Sequence, residues 1–150
     1  MAAEKWLPST RSGNPITAMT TELNSLTTTG SAIGAAIDND ADHDMYADVE
    51  LLIDYGTGPT AGTVIELYHI RTADGTNYED GSTTGPVVPQ SGFVGAFVLR
   101  STTDTQRIII PGVPIPPRDF KPMIVAKTTG QTAAASGNTL VYYFYGRQSV

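Results

Sequence analysis

The amino-acid sequence predicts an all-β fold, a two-sheet antiparallel sandwich of jelly-roll type carrying an extended N-terminal arm. Three observations lead there. Of 150 residues, only 16% are charged, while 21 are threonine, 15 glycine and 10 proline. Threonine is β-branched and polar, which suits water-facing strand positions, and glycine and proline punctuate turns. Short apolar segments of period two recur along the chain with such turn residues between them. Finally, the segment from Ile108 to Lys121 holds Pro111, Pro114, Pro116 and Pro117. No helix passes through that cluster, because each ring fixes φ and removes an amide donor.

Residues 1–29 are rich in Ser and Thr, contain Pro8, Gly13 and Pro15, and scatter large apolar side chains at Trp6, Leu7, Ile16, Met19, Leu23 and Leu26. Such a stretch is too polar for a core of its own. It reads as an arm, with one short helical turn near Met19 to Leu26, ahead of a sandwich domain over 30–150. Trp6, the only tryptophan, either caps the domain's core or anchors a neighbouring subunit, where tryptophan is enriched. If the arm drapes over a neighbour, deleting residues 1–26 leaves a folded domain.

The domain begins with a small-residue strand from Ser31 to Ile37. Tyr46 to Tyr55 alternates, with Val49, Leu51, Ile53 and Tyr55 facing one way and Asp48, Glu50 and Asp54 the other. After a Gly- and Pro-containing loop, Thr63 to Ile70 places Ile65 and Leu67 toward a core, and these two strands are the best hairpin in the chain. Residues 71–92 form a long loop, with turns at Asp74-Gly75 and Asp80-Gly81 and stiffening from Pro86 and Pro89. It reads either as an excursion packed over the sandwich or as a contact surface. Phe93 to Leu99 is a strand. Thr102 to Arg107 turns into a short strand, Ile108 to Ile110. Beyond the proline crossing, Phe120 to Lys127 is another. The last strand carries Leu140, Tyr142 and Phe144 on one face and Val141, Tyr143 and Tyr145 on the other. Apolar residues on both faces imply a central place in a sheet or burial against a partner. A jelly roll closes these strands best, and an immunoglobulin-like order comes second.

The net charge of −6 argues against a general nucleic-acid binder. No Lys or Arg lies between Arg11 and Arg71, whereas seven of the fifteen acids fall from Asp38 to Asp54. Cysteine is absent, which excludes disulfides and thiol chemistry. The first residues lack the apolar run of a secretory signal, and no apolar run reaches membrane-spanning length, so a soluble chain made in a cytoplasm is expected. Asp38, Asp40, Asp42 and Asp44 start like a calcium loop, but His43 stands where that loop needs Gly, and Val49 where it needs Glu. They read as weak metal candidates beside a plain acidic loop. No Gly-x-Ser-x-Gly elbow, catalytic triad order or phosphate loop is present. The reading is therefore non-enzymatic and without cofactor. Tyr46, Tyr55, Tyr68, Tyr78, Tyr142, Tyr143 and Tyr145 offer a sugar-stacking platform, which leaves a carbohydrate-binding β-sandwich module open as another reading.

Ile65 to Ile70, Asp74 to Gly81, Phe97 to Arg100, Gly112 to Lys121 and Ala134 to Leu140 together resemble small structural proteins of tailed bacteriophages, of the capsid cement or decoration type. The resemblance covers roughly residues 45 to 145. It implies a virion protein on the capsid surface that bridges major capsid protein subunits and associates with copies of itself, with no membrane and no direct nucleic-acid contact. A tail or head-fibre component is the alternative within the same resemblance. Its contacts are expected at Trp6, Leu7, Ile16, Leu23, Leu26, Tyr78, Tyr143 and Tyr145.

Overall fold

The computed structural model describes residues 4–84 and 87–149. Among the described residues nine strands run β1 (Glu4–Pro8), β2 (Ile16–Met19), β3 (Ser31–Ile33), β4 (Tyr46–Ile53), β5 (Val64–Arg71), β6 (Phe93–Val98), β7 (Gln106–Pro114), β8 (Phe120–Lys127) and β9 (Thr139–Ser149), with a 3-10 turn at Thr21–Leu23. They form two antiparallel sheets. The first is ordered β1-β9-β4-β7, with β2 also on β9, and the second β3-β8-β5-β6. The all-β sandwich is therefore the fold.

Alternation builds the core. Ala47, Val49, Leu51 and Ile53 of β4 and Leu140, Tyr142 and Phe144 of β9 face inward from the first sheet, against Ile65, Leu67, Phe97, Phe120, Ile124 and Ala126 of the second. Each buried aliphatic or aromatic side chain of this kind contributes about 1.5–3 kcal/mol of transfer free energy. A smaller cluster of Tyr68, Ile70, Met123 and Val125 lies on the opposite face of β5 and β8. The long loop after β5 covers it, with Tyr78 and Val88 packed against it. That loop is thus a packed excursion over a sheet face. Pro86, expected to stiffen it, lies outside the described residues.

Three expectations are corrected. The described part of the expected arm, residues 4–29, does not stand apart: β1 and β2 both pair with β9, and Met19, Leu23 and Leu26 are buried in the domain's own core. The anchors read as an arm's are core residues of the sandwich itself, spaced irregularly because the strands that carry them are short. The strands at 46 and 63 are no hairpin, since β4 and β5 belong to different sheets. After Ile53 the 129–138 segment captures the chain: Asp54 N–H donates to Asn138 Oδ1, Ala134 N–H to Asp54 O, and Thr60 N–H to Thr129 O. The chain crosses the end of the sandwich there. The strand at 108–110 does not stop at Pro111. It runs from Gln106 to Pro114 because β7 is an edge strand, where proline is tolerated. Ile115 N–H donates to Met45 O, so the nitrogen of the preceding Pro114 faces away from β4. Register shifts between Ala47 and Val49, a bulge that places Gly112 at φ +65° opposite Asp48.

One polar pair sits inside the sandwich. His69 Nε2 lies 3.0 Å from the Tyr142 hydroxyl, and the imidazole packs on Phe120 at 4.5 Å between centroids. Burial, aided by the Arg71 charge, holds the His69 pKa at about 3 against the ordinary 6.5. Burial pushes Tyr142 upward.

Two outcomes follow. Deleting residues 1–26 removes two strands and four core side chains, Ala18, Met19, Leu23 and Leu26, and is expected to abolish cooperative thermal unfolding; a truncated chain with a sharp melt near the full-length temperature would contradict the packing. For pH, the unfolded chain takes up the His69 proton below 6.5 and the folded chain only near 3. Stability is therefore complete above 6.5 and falls with acidification by up to about 1.4 kcal/mol per pH unit. Urea midpoints between pH 6.5 and 5, above the main carboxylate range, should show this slope, and His69→Gln should flatten it.

Candidate functional site

The outer face of the first sheet carries an open aromatic groove. The alternation that sends Ala47, Val49, Tyr142 and Phe144 inward sends Tyr46, Asp48, Tyr143 and Tyr145 outward. Antiparallel register sets Tyr46 opposite Tyr145 and Asp48 opposite Tyr143. Tyr46 and Tyr145 are stacked, with centroids 6.1 Å apart and planes at 20°. Trp6 stands edge-on to both at 5.5 Å, with planes at 75° and 78°. It is 58% exposed, and Tyr143 is 40% exposed. The groove, about 570 Å³, has Trp6, Leu7 and Pro8 along β1 and Tyr143, Phe144 and Tyr145 along β9, with Asn14 and Asp48 completing it. This volume falls within the roughly 300–1,000 Å³ of small-ligand clefts.

The walls are fixed by local hydrogen bonding. Between β1 and β2, the Ser9 N–H donates to Phe144 O at 3.0 Å. Asn14 completes this edge of β9: its Nδ2 donates to Phe144 O at 3.1 Å and its Oδ1 accepts from Phe144 N–H at 3.0 Å. A side-chain amide thus supplements the backbone pairing. On the floor, Asp48 Oδ1 accepts from the Gly112 amide at 2.9 Å and from the Tyr145 hydroxyl at 3.2 Å. The bulge of β7 is thereby tied to the groove. Burial and the adjacent Asp48 carboxylate raise the Tyr145 pKa, so the phenol keeps its proton and donates. Arg147, opposite Trp6 in register, places its guanidinium 5.4 Å from the indole centroid.

The residues predicted for contacts divide. Trp6, Leu7, Tyr143 and Tyr145 meet in the groove. Leu23 and Leu26 are buried in the core, and Ile16 is half-buried against it. Tyr78 sits across the sandwich, beneath Lys121, whose ammonium lies 4.1 Å from its ring centroid. The depression there, lined by Glu79, Asp80, Gln90 and Ser91 among others, is polar and offers no exposed aromatic ring.

The acidic loop is engaged in ion pairs and backbone hydrogen bonds. Asp44 is buried and accepts from Arg11 Nε at 2.9 Å; Asp42 lies 3.3 Å from the same nitrogen, and Asp40 lies 3.6 Å from Arg118. Asp38 Oδ1 accepts from the Asp40 amide. Among the described residues no three acidic or histidine side chains are grouped to hold a metal ion. What sequence reading missed is Arg11. It is buried, donates through its second amine to Asn39 Oδ1 at 2.9 Å, and lies 4.4 Å over the Phe144 ring. It closes one end of the sandwich. The available signal was that Arg11 is the last cation before the long acidic stretch.

No family model matches the chain, and no curated protein matches it in sequence. Solved structures do match in fold. The chain is similar to the CBM36-1 domain of a multidomain xylanase from the hindgut metagenome of Trinervitermes trinervoides, at 12% identity and a TM-score of 0.50, over 99% of this chain and 100% of that one. It is also similar to a family 6 carbohydrate-binding module from Clostridium cellulolyticum in complex with xylose, at 11% identity and 0.43, over 97% of each chain. A family 35 module from Cellvibrio japonicus matches at 14% and 0.43, again over 97% of each. At such identities the likeness speaks to the sandwich fold. The expectation of a capsid cement or decoration protein is corrected on this point: the solved structure matched over its whole length is a domain named as a carbohydrate-binding module and not a bacteriophage capsid protein.

Removing Arg11 leaves the Asp44 carboxylate buried without its cation. Arg11→Met is expected to cost about 3–5 kcal/mol of unfolding free energy. Asp42→Asn, at the more exposed carboxylate, should cost under about 1 kcal/mol. Equal losses in denaturant titrations would show that Asp44 is not the main partner.

Proposed function

We propose that the chain is a non-catalytic carbohydrate-binding module that takes a sugar chain in the groove beside Trp6. The observation that carries this reading is the solvent-facing cluster of Trp6, Tyr46, Tyr143 and Tyr145 around a hydrogen-bonding floor. A pyranose presents an apolar C–H face and a rim of hydroxyls. Aromatic rings complement the first, and a carboxylate and phenol hydroxyls complement the second. Their rigid side chains lose little entropy on binding, and the strands hold them in place beforehand.

The chemistry fits holding better than cutting. Glycoside cleavage uses two carboxyl groups about 5–9.5 Å apart across the bond. The groove is lined by one, Asp48. Glu50, farther along β4, is paired with Arg107 at 3.4 Å. The modules similar in fold are carbohydrate binders by name, which agrees with this reading, although fold does not fix function and the groove bears the argument.

Trp6→Ala is expected to weaken polysaccharide binding by about tenfold or more, as loss of an aromatic anchor does at a binding site. Its melting temperature should change little, because the ring is mostly exposed. Affinity electrophoresis against soluble xylan and β-glucan, with Phe93→Ala as a control for another exposed aromatic, reads the effect. Unchanged retardation of the Trp6 variant, or equal loss in the control, would refute the groove as the site.

A further inference from the structure

Resting on the groove as the sugar site, we infer that it selects uncharged sugar chains over those bearing uronic acids, and that Asp48 sets this selection. Asp48 is the one charged residue among those lining the groove. Its position is fixed from two sides, by the Gly112 amide of the β7 bulge and by the Tyr145 hydroxyl, and both bonds fall on Oδ1. The carboxylate therefore presents a fixed negative charge to any occupant. A neutral sugar meets it with hydroxyl donors, forming charge-assisted hydrogen bonds. A uronate brings a second carboxylate, which has no proton to donate and repels the first. The site is half-buried, so this repulsion is less screened than one between exposed charges.

The surrounding charges do not reverse the sign. Glu50 is matched by Arg107. The Arg147 guanidinium stands over Trp6, and Arg147 is exposed and does not line the groove. Asp48 thus acts as a specificity-determining residue, and its substitution by Asn separates charge from shape, because Asn keeps an Oδ1 acceptor for Gly112 and Tyr145.

The chain's net charge of −6 also repels polyanions, at longer range. The test separates the two. The intact protein is titrated with xylan, with polygalacturonate and with the methyl ester of polygalacturonate, at low salt and at 0.5 M NaCl, a concentration of about 4–5 Å screening length. Binding to the ester is expected to exceed binding to the acid by about tenfold or more, and the ratio should persist at high salt because contact repulsion is poorly screened. Asp48→Asn should narrow that ratio by about tenfold, the gap between hydrogen bonds to charged and to neutral acceptors. Asp104→Asn, which changes net charge equally at a remote loop, should leave it intact. Ester and acid binding equally well at high salt overturns the inference, as does an unchanged ratio in Asp48→Asn; in both cases the groove reading stands. The ester-to-acid comparison needs no variant, so it decides even if Asp48→Asn fails to fold. Failure to bind any of the three polymers overturns the groove reading and the inference with it.

Discussion

Strand β9 is the constraint on which the rest depends. It is apolar on both faces and must satisfy backbone groups along both edges. β4 serves one edge in register from Tyr46 to Leu52. Two short strands serve the other, β1 at 145–149 and β2 at 140–142, with the Ser9 amide and the Asn14 side chain at Phe144 between them. A buried amide or carbonyl left unpaired costs about 1–3 kcal/mol. The polar N-terminal segment is therefore structural, because without it a core strand becomes an edge. Arg11 secures that segment by joining its turn to the acidic loop and to the ring of Phe144.

The same strand makes the groove. Its inward residues Leu140, Tyr142 and Phe144 build the core, and its outward residues Tyr143 and Tyr145 build the aromatic floor. Anything that holds the register of β9 against β4 therefore holds the spacing of Tyr145 from Tyr46 and of Tyr143 from Asp48. The buried contact of His69 with Tyr142 adds a check on that register across the two sheets, since a slip by one residue would leave both groups without a partner. Core and site are two faces of one ladder.

Much of the fold was legible because period-two alternation is local. β4, β5, β6 and β8 lie where alternation places them, within a residue or two of their observed ends. Of the two readings the apolar faces of the last strand allowed, a central place in a sheet or burial against a partner, the structure shows the central place. What alternation does not carry is which sheet a strand joins. That was decided by the captures of Asp54 and Thr60 by the 129–138 segment, contacts between residues 69 to 84 apart in sequence. The N-terminal strands escaped for another reason. Their pairing partner lies at the opposite end of the chain, and five or four residues are too few to display a period. At the site, Trp6, Tyr143 and Tyr145 stood out by residue type, whereas Asp48 looked like one more solvated acid. Its role depends on a bulge in β7 that no spacing announces.

Pro114 in β7 has a consequence beyond tolerating the edge. An exposed sheet edge invites another chain to add a strand, and such additions grow into fibres. Here the nitrogen that turns away from β4 carries no proton, and the Gly112 amide two residues earlier is engaged by Asp48. An incoming strand would find the ladder interrupted at both places. The β7 edge of the first sheet is thus a poor template for backbone pairing at positions 112 and 114.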